Sequence, residues 1–119
     1  MKLLEDRILK DGKGIGTEIL KVDDFLNHQI DVQLLDEMGK EFARLFAHTG
    51  ANKILTVESS GIAVAYPTAR YMGNLPLVFA KKKKPSTMPE GAFVTEVFSF
   101  TKQNSTPIIV SKHYLGHDA

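Results

Sequence analysis

The chain contains no cysteine. That absence excludes disulfides, thiolate nucleophiles and cysteine-rich zinc sites, and it fits a reducing compartment. Charge of one sign is also scarce: 15 Lys and Arg oppose 14 Asp and Glu, and a net charge of +1 exerts no global pull on nucleic acid or anionic membrane. No apolar run approaches the roughly 20 residues needed to span a bilayer. The opening residues, Met1-Lys2-Leu3-Leu4-Glu5-Asp6-Arg7, mix acids and bases within two turns, unlike a signal or transit peptide. A soluble cytoplasmic protein is the expectation. Internal repeats and low-complexity tracts are absent, as are the spacings of a Walker loop or a dinucleotide fingerprint. The four histidines carry no triad spacing. His113 and His117 stand four residues apart, but Gly116 lies between them and no acidic ligand is obviously placed.

What is present fits one small domain. At 119 residues, 43% hydrophobic and 24% charged, the chain is long enough for a real core but short for an α/β enzyme. Leu3, Leu4, Ile8 and Leu9 predict a helix over 2–11 with Gly12 as its stop. Gly12, Gly14 and Gly16 break that pattern, 18–22 reads as a short strand, and Asp23-Asp24 as a polar turn. Asp31 is a good N-cap for a long helix whose stripe is Leu34, Leu35, Met38, Phe42, Leu45 and Phe46, with Gly50 closing it. A buried strand over 53–57, a helix over 62–72 that Pro67 should kink or shorten, and a strand over 76–80 make a βαβ unit with parallel strands. A basic loop over 81–91 leads to strands over 92–100 and 107–111, joined by a polar turn over 102–106.

The most informative stretch is Thr56-Val57-Glu58-Ser59-Ser60-Gly61-Ile62, a strand that ends in an acid, two hydroxyls and a glycine before a helix opens. Amides at that helix start can receive an anion, Gly61 lets the main chain approach a bound group, and strand-end turns are where open parallel sheets bind ligands. The alternative is an ordinary turn with Ser60 as N-cap. Lys81-Lys82-Lys83-Lys84 leaves the same sheet edge, where ammonium groups would neutralise a polyphosphate; a solvated run that keeps an edge from pairing is the plainer reading. The Asn27 carboxamide can both donate and accept, and so can read a heterocycle carbonyl beside an N–H; a turn-forming Asn is the alternative.

Taken together, several segments resemble the xanthine-specific branch of the type I phosphoribosyltransferases. They are Leu20-Lys21-Val22-Asp23, Phe25-Leu26-Asn27-His28-Gln29-Ile30-Asp31, Glu58-Ser59-Ser60-Gly61-Ile62-Ala63, Val78-Phe79-Ala80-Lys81-Lys82 and Ser99-Phe100-Thr101-Lys102-Gln103. The resemblance runs over nearly the whole chain. It implies an α/β fold, a parallel sheet with flanking helices, with residues 1–31 as an N-terminal hood that binds the base and 32–119 as the first part of the core. It implies conversion of xanthine and phosphoribosyl pyrophosphate to xanthosine monophosphate and pyrophosphate, with Mg2+ entering as the phosphoribosyl pyrophosphate complex, in a cytoplasmic homodimer of purine salvage. By match, Leu20 and Asn27 would hold xanthine; Glu58, Ser59, Ser60 and Gly61 would form the pyrophosphate loop. Lys81 and Lys82 would lie near the pyrophosphate, and 85–97 would be a mobile loop over the reacting centre. The family's paired acids and small-residue loop, which hold the ribose and its 5′-phosphate, have no counterpart in residues 1–119. The expectation is therefore a truncated member, without catalytic residues of its own and with little turnover alone. A non-catalytic purine- or nucleotide-binding protein, or a fragment that dimerises, is the rival reading.

Overall fold

Asp31 does at the head of the long helix what its position predicts. Its Oδ1 accepts the Leu34 N–H at 3.1 Å, capping a helix that runs Val32–Phe46. In the computed structural model, which describes residues 1–17, 19–82, 91–99 and 104–116 (of 96–99 and 104–106, the backbone alone), the order of elements is as follows. Helix α1 (Lys2–Asp11) precedes a hairpin of β1 (Lys13–Ile15) and β2 (Ile19–Lys21), then α2 (Val32–Phe46), β3 (Ile54–Val57), α3 (Gly61–Tyr71) and β4 (Leu77–Ala80). Strands β5 (Ala92–Ser99) and β6 (Asn104–Ser111) close the series. Strand β3 pairs parallel with β4, as the strand–helix–strand order requires, while β1–β2 and β5–β6 are antiparallel. A bridge from Lys81 to Ile109 fastens the end of β4 to β6.

The core gathers on the stripe of α2. Leu34, Leu35 and Met38 pack with Phe25, which is 0% exposed, and Leu4, Ile8, Val22, Leu26, Phe42 and Val64 lean on them. Phe25 sits in a five-residue π-helical turn, Asp23–Asn27, where an ordinary polar turn was expected. Burial of that ring accounts for the wider winding: the Gln29 N–H reaches Asp23 C=O at 2.7 Å and the Asp31 N–H reaches Phe25 C=O at 3.0 Å, so the chain closes around it. Arg7 completes the arrangement. Its guanidinium lies 5.1 Å from the Phe25 ring centroid, donates to Asp11 at 2.5 Å and pairs with Asp31, tying α1 to the head of α2. The Arg7 hydrogen bond first, and the Leu34 N–H second, hold the Asp31 carboxyl below the usual carboxylate range.

Helix α3 crosses α2 at close range. A Cβ on Gly39 would lie 2.6 Å from Pro67 Cβ and 2.7 Å from the Pro67 carbonyl carbon, so Gly39 is the notch that seats Pro67. Pro67 does not shorten the helix: α3 runs unbroken across it, and the ring is buried against α2. Tyr71 Oη donates to Asp36 Oδ2 at 2.6 Å and fastens the far end of the crossing.

Other expectations need correction. Strand β3 is not buried: Leu55 is 50% exposed and Val57 39%, because α3 covers the face that carries Thr56 and, among the described residues, the other face stays open. The glycine-rich segment after α1 holds a strand, β1, in which Gly14 pairs with Leu20. Helix α2 ends at Phe46, whose carbonyl accepts the Thr49 hydroxyl at 2.8 Å and the Thr49 N–H at 3.2 Å, before Gly50 takes its left-handed φ of 73°. Strand β6 begins at Asn104, inside the expected turn, whose residues 102–103 lie outside the described residues.

Candidate functional site

The parallel pairing of β3 and β4 brings two loops to one edge. Both strands point their carboxyl ends the same way, so Glu58 and Lys81 emerge side by side. The Glu58 N–H donates to Ala80 C=O at 3.1 Å, and the Lys82 N–H donates to Glu58 Oε1 at 2.6 Å. Lys81 exchanges main-chain hydrogen bonds with Ile109 at 2.7 and 2.8 Å. Its ammonium lies 5.6 Å from the Phe79 ring centroid, while Lys82 is exposed.

Ser59 and Ser60 are exposed at the mouth of α3. Ser60 precedes the helix with helical angles (φ −66°, ψ −27°), and its hydroxyl makes no capping bond. An N-cap residue takes an extended conformation and spends its side chain on the helix, so the plain capping reading does not describe Ser60. Of the first amides of α3, those of Ile62 and Ala63 donate to the Ser59 and Ser60 carbonyls at 3.2 Å, and the Gly61 N–H has no acceptor among the described residues. Gly61 is needed for a reason that the sequence does not display. A Cβ there would lie 2.5 Å from Thr56 Oγ1, so its smallness lets α3 start against β3.

Leu20 and Asn27 lie apart from this edge, in the N-terminal segment. Leu20 is half exposed on β2, with its Cδ1 about where a Cβ on Gly12 would touch it, at 3.3 Å. Asn27 ends the π-helical turn, exposed, with its N–H on Val22 C=O at 3.2 Å. Its carboxamide has no partner among the described residues. No hydrogen bond or ion pair among the described residues joins Leu20 or Asn27 to the Glu58 turn. Of the loop expected over 85–97, residues 85–90 lie outside the described residues and 92–97 belong to β5. Lys83 and Lys84 also lie outside them. Thr56 and Phe79, which stand in the quoted segments without a role of their own, and Ile109 shape this edge through contacts with distant residues that no spacing marks.

Comparison with known proteins places this geometry. No family model matches the chain. It is 54% identical to a xanthine phosphoribosyltransferase of Ruminiclostridium cellulolyticum over 118 residues, 99% of this chain and 62% of that protein. It is 55% identical to the xanthine phosphoribosyltransferase of Clostridium novyi (97% of this chain, 60% of that protein) and 52% identical to that of Streptococcus pneumoniae (97% and 59%). The chain thus spans 59–62% of the length of these curated relatives. Among solved structures, the fold is similar to an adenine phosphoribosyltransferase from Giardia lamblia complexed with 9-deazaadenine. The TM-score is 0.68 at 22% identity, covering 95% of this chain and 61% of that one. An adenine phosphoribosyltransferase from Rhodothermus marinus gives 0.63 at 13% identity, covering 96% and 64%. The chain thus has a partial type I phosphoribosyltransferase fold, and along almost its whole length its sequence is similar to xanthine phosphoribosyltransferases.

Proposed function

We propose that this chain supplies the base-binding and pyrophosphate-binding parts of a xanthine phosphoribosyltransferase acting in purine salvage. The observation that carries the reading is the pair of loops on one sheet edge: two uncapped hydroxyls and the head of α3 beside Lys81 and Lys82, in a sequence 54% identical to such an enzyme. In the reaction, a purine ring nitrogen bonds to the ribosyl C1′ as the bond from C1′ to the diphosphate oxygen breaks. The diphosphate leaves with the bonding electron pair, and the displaced ring proton passes to solvent. Negative charge therefore grows on the leaving group, and fixed donors stabilise it there. The Ser59 and Ser60 hydroxyls and the Gly61 N–H take diphosphate oxygens, and the two ammonium groups offset their charge. Leu20 covers a face of xanthine, and the Asn27 carboxamide pairs with a ring carbonyl beside an N–H. Residues 1–31 act as the hood and 32–119 as the first part of the core.

Among the described residues, no group of three or more His, Asp or Glu side chains stands together to hold a metal. Magnesium would enter as the phosphoribosyl pyrophosphate complex, as the likeness to the family implies. No helix among the described residues is long and apolar enough to cross a membrane. A cytoplasmic homodimer is the assembly that the reading implies.

The 59–62% coverage favours a second reading of the isolated chain, as a part that binds ligand without turning it over. One experiment separates the two. The purified 119-residue chain is given xanthine, phosphoribosyl pyrophosphate and Mg2+, xanthosine monophosphate is assayed, and pyrophosphate binding is measured calorimetrically on the same folded sample. Binding without turnover is expected. Turnover makes the chain an enzyme alone, and a folded sample that binds no pyrophosphate overturns the site.

A further inference from the structure

The ladder between β3 and β4 repeats every two residues. The Ile54 N–H donates to Pro76 C=O at 3.0 Å, and the Glu58 N–H donates to Ala80 C=O at 3.1 Å, in the register that pairs Ile54 with Leu77 and Val57 with Ala80. In a parallel ladder, each β3 residue that donates to one β4 residue accepts from the β4 residue two places on. The Glu58 carbonyl is therefore the acceptor that the ladder offers Lys82. Lys82 turns elsewhere, giving its N–H to the Glu58 side chain, Oε1, at 2.6 Å. The carboxylate stands in for a main-chain carbonyl at the rung where the strand becomes the Ser59-Ser60 turn. The backbone can leave the strand path at Glu58 while the lysine segment stays paired beside it. From the other side, the reciprocal bonds to Ile109 hold Lys81 on β6.

We propose that Glu58 is a positioning residue, not a pyrophosphate ligand: its carboxylate holds the Lys82 main chain so that the serine turn and the lysine segment form one anion site. The proposal rests on the pyrophosphate reading above. A carboxylate turned toward a diphosphate would repel it, whereas one whose oxygen is engaged by an N–H serves as an anchor. The role asks only for an acceptor of the right reach. Glutamine keeps that acceptor and discards the charge; alanine discards both.

Inorganic pyrophosphate is titrated calorimetrically into the full 119-residue chain and its E58Q and E58A variants, and exchange of the Lys82 amide hydrogen is followed by NMR. E58A is expected to bind about tenfold more weakly and to exchange the Lys82 amide faster, with E58Q within about twofold of the parent on both. Should E58A lose its fold, E58D, one methylene short of the amide, takes its place with the same expectation. Affinity in E58A equal to the parent overturns the proposal, as does E58Q falling as far as E58A, since the charge would then be the requirement. A parent chain that binds no pyrophosphate overturns the site reading alone. In that event a Lys82 amide whose exchange is unchanged in E58A overturns the tether as well.

Discussion

The N-terminal half of the helical core and the edge of the β3–β4 sheet treat apolar side chains in opposite ways. Around Phe25 the rings and branched chains are sealed, at 0–6% exposure for Phe25, Leu34, Leu35 and Met38. On the sheet, Leu55, Val57 and Phe79 remain 39–50% exposed. Stability is therefore concentrated away from the site, and the site sits on the part of the molecule that contributes less to it. That separation makes substitutions informative, because folding and binding can be moved independently.

The sharpest contrast is between Phe25 and Leu55. Phe25→Ala removes a fully buried ring together with its contact to Arg7, and a loss of about 3–5 kcal/mol is expected in chemical denaturation. Leu55→Ala removes a half-exposed side chain, and a loss within about 1 kcal/mol is expected. Equal losses would show that the sheet is part of the same sealed core, and the comparison would collapse.

A smaller effect tests what the glycines do. Gly61→Ala sets a methyl 2.5 Å from Thr56 Oγ1, an overpacking that costs about 1–3 kcal/mol. The Thr56→Ala change removes that oxygen, so the double variant should recover most of the loss. If it recovers nothing, Gly61 is required by the backbone path and not by the strand beneath it.

Legibility followed the same division. Asp31 as N-cap and the stripe from Leu34 to Phe42 were readable because both are local: a cap bonds three residues on, and a helical face repeats within one element. The parallel pair was readable from element order. The π-helical turn was not, because Asp23-Asp24 reads as polar while the winding is decided by Phe25 and its partners on other elements. Gly14 reads as a breaker and is a strand residue, since pairing with Leu20 outweighs its weak propensity. The apolar run of β3 reads as a buried strand, and only packing reveals that one face is open. At the site, the residue types and their place at strand ends were legible. The Glu58–Lys82 bond and the Thr56 wall beneath Gly61 were not, because each joins residues whose proximity the fold creates.

Acid should probe the helical half alone. Asp31 is held below the usual carboxylate range, chiefly by Arg7 and then by the Leu34 N–H. A carboxyl depressed in the folded state favours folding in full above its unfolded value, and that contribution disappears as the pH falls through the folded value. Asp31→Asn keeps a good N-cap while losing the Arg7 ion pair. Its thermal midpoint should therefore lie below the parent's at neutral pH and converge with it in acid. A constant gap at every pH would assign the difference to capping alone.

The smallest change in stability is expected where the change in binding should be clear. Ser60 makes no capping bond and is exposed, so Ser60→Ala removes a hydroxyl that the folded chain does not use. A melting curve superimposable on the parent's is expected, within about 0.5 kcal/mol. Pyrophosphate affinity should fall about tenfold or more, the cost of one hydrogen bond to a charged group. A residue that stabilised the turn would show the reverse, a lower midpoint with affinity intact among the molecules that remain folded. Ser60 then would be a structural residue, and the division between a sealed core and an open, ligand-directed edge would fail at the position where it is most exposed to test.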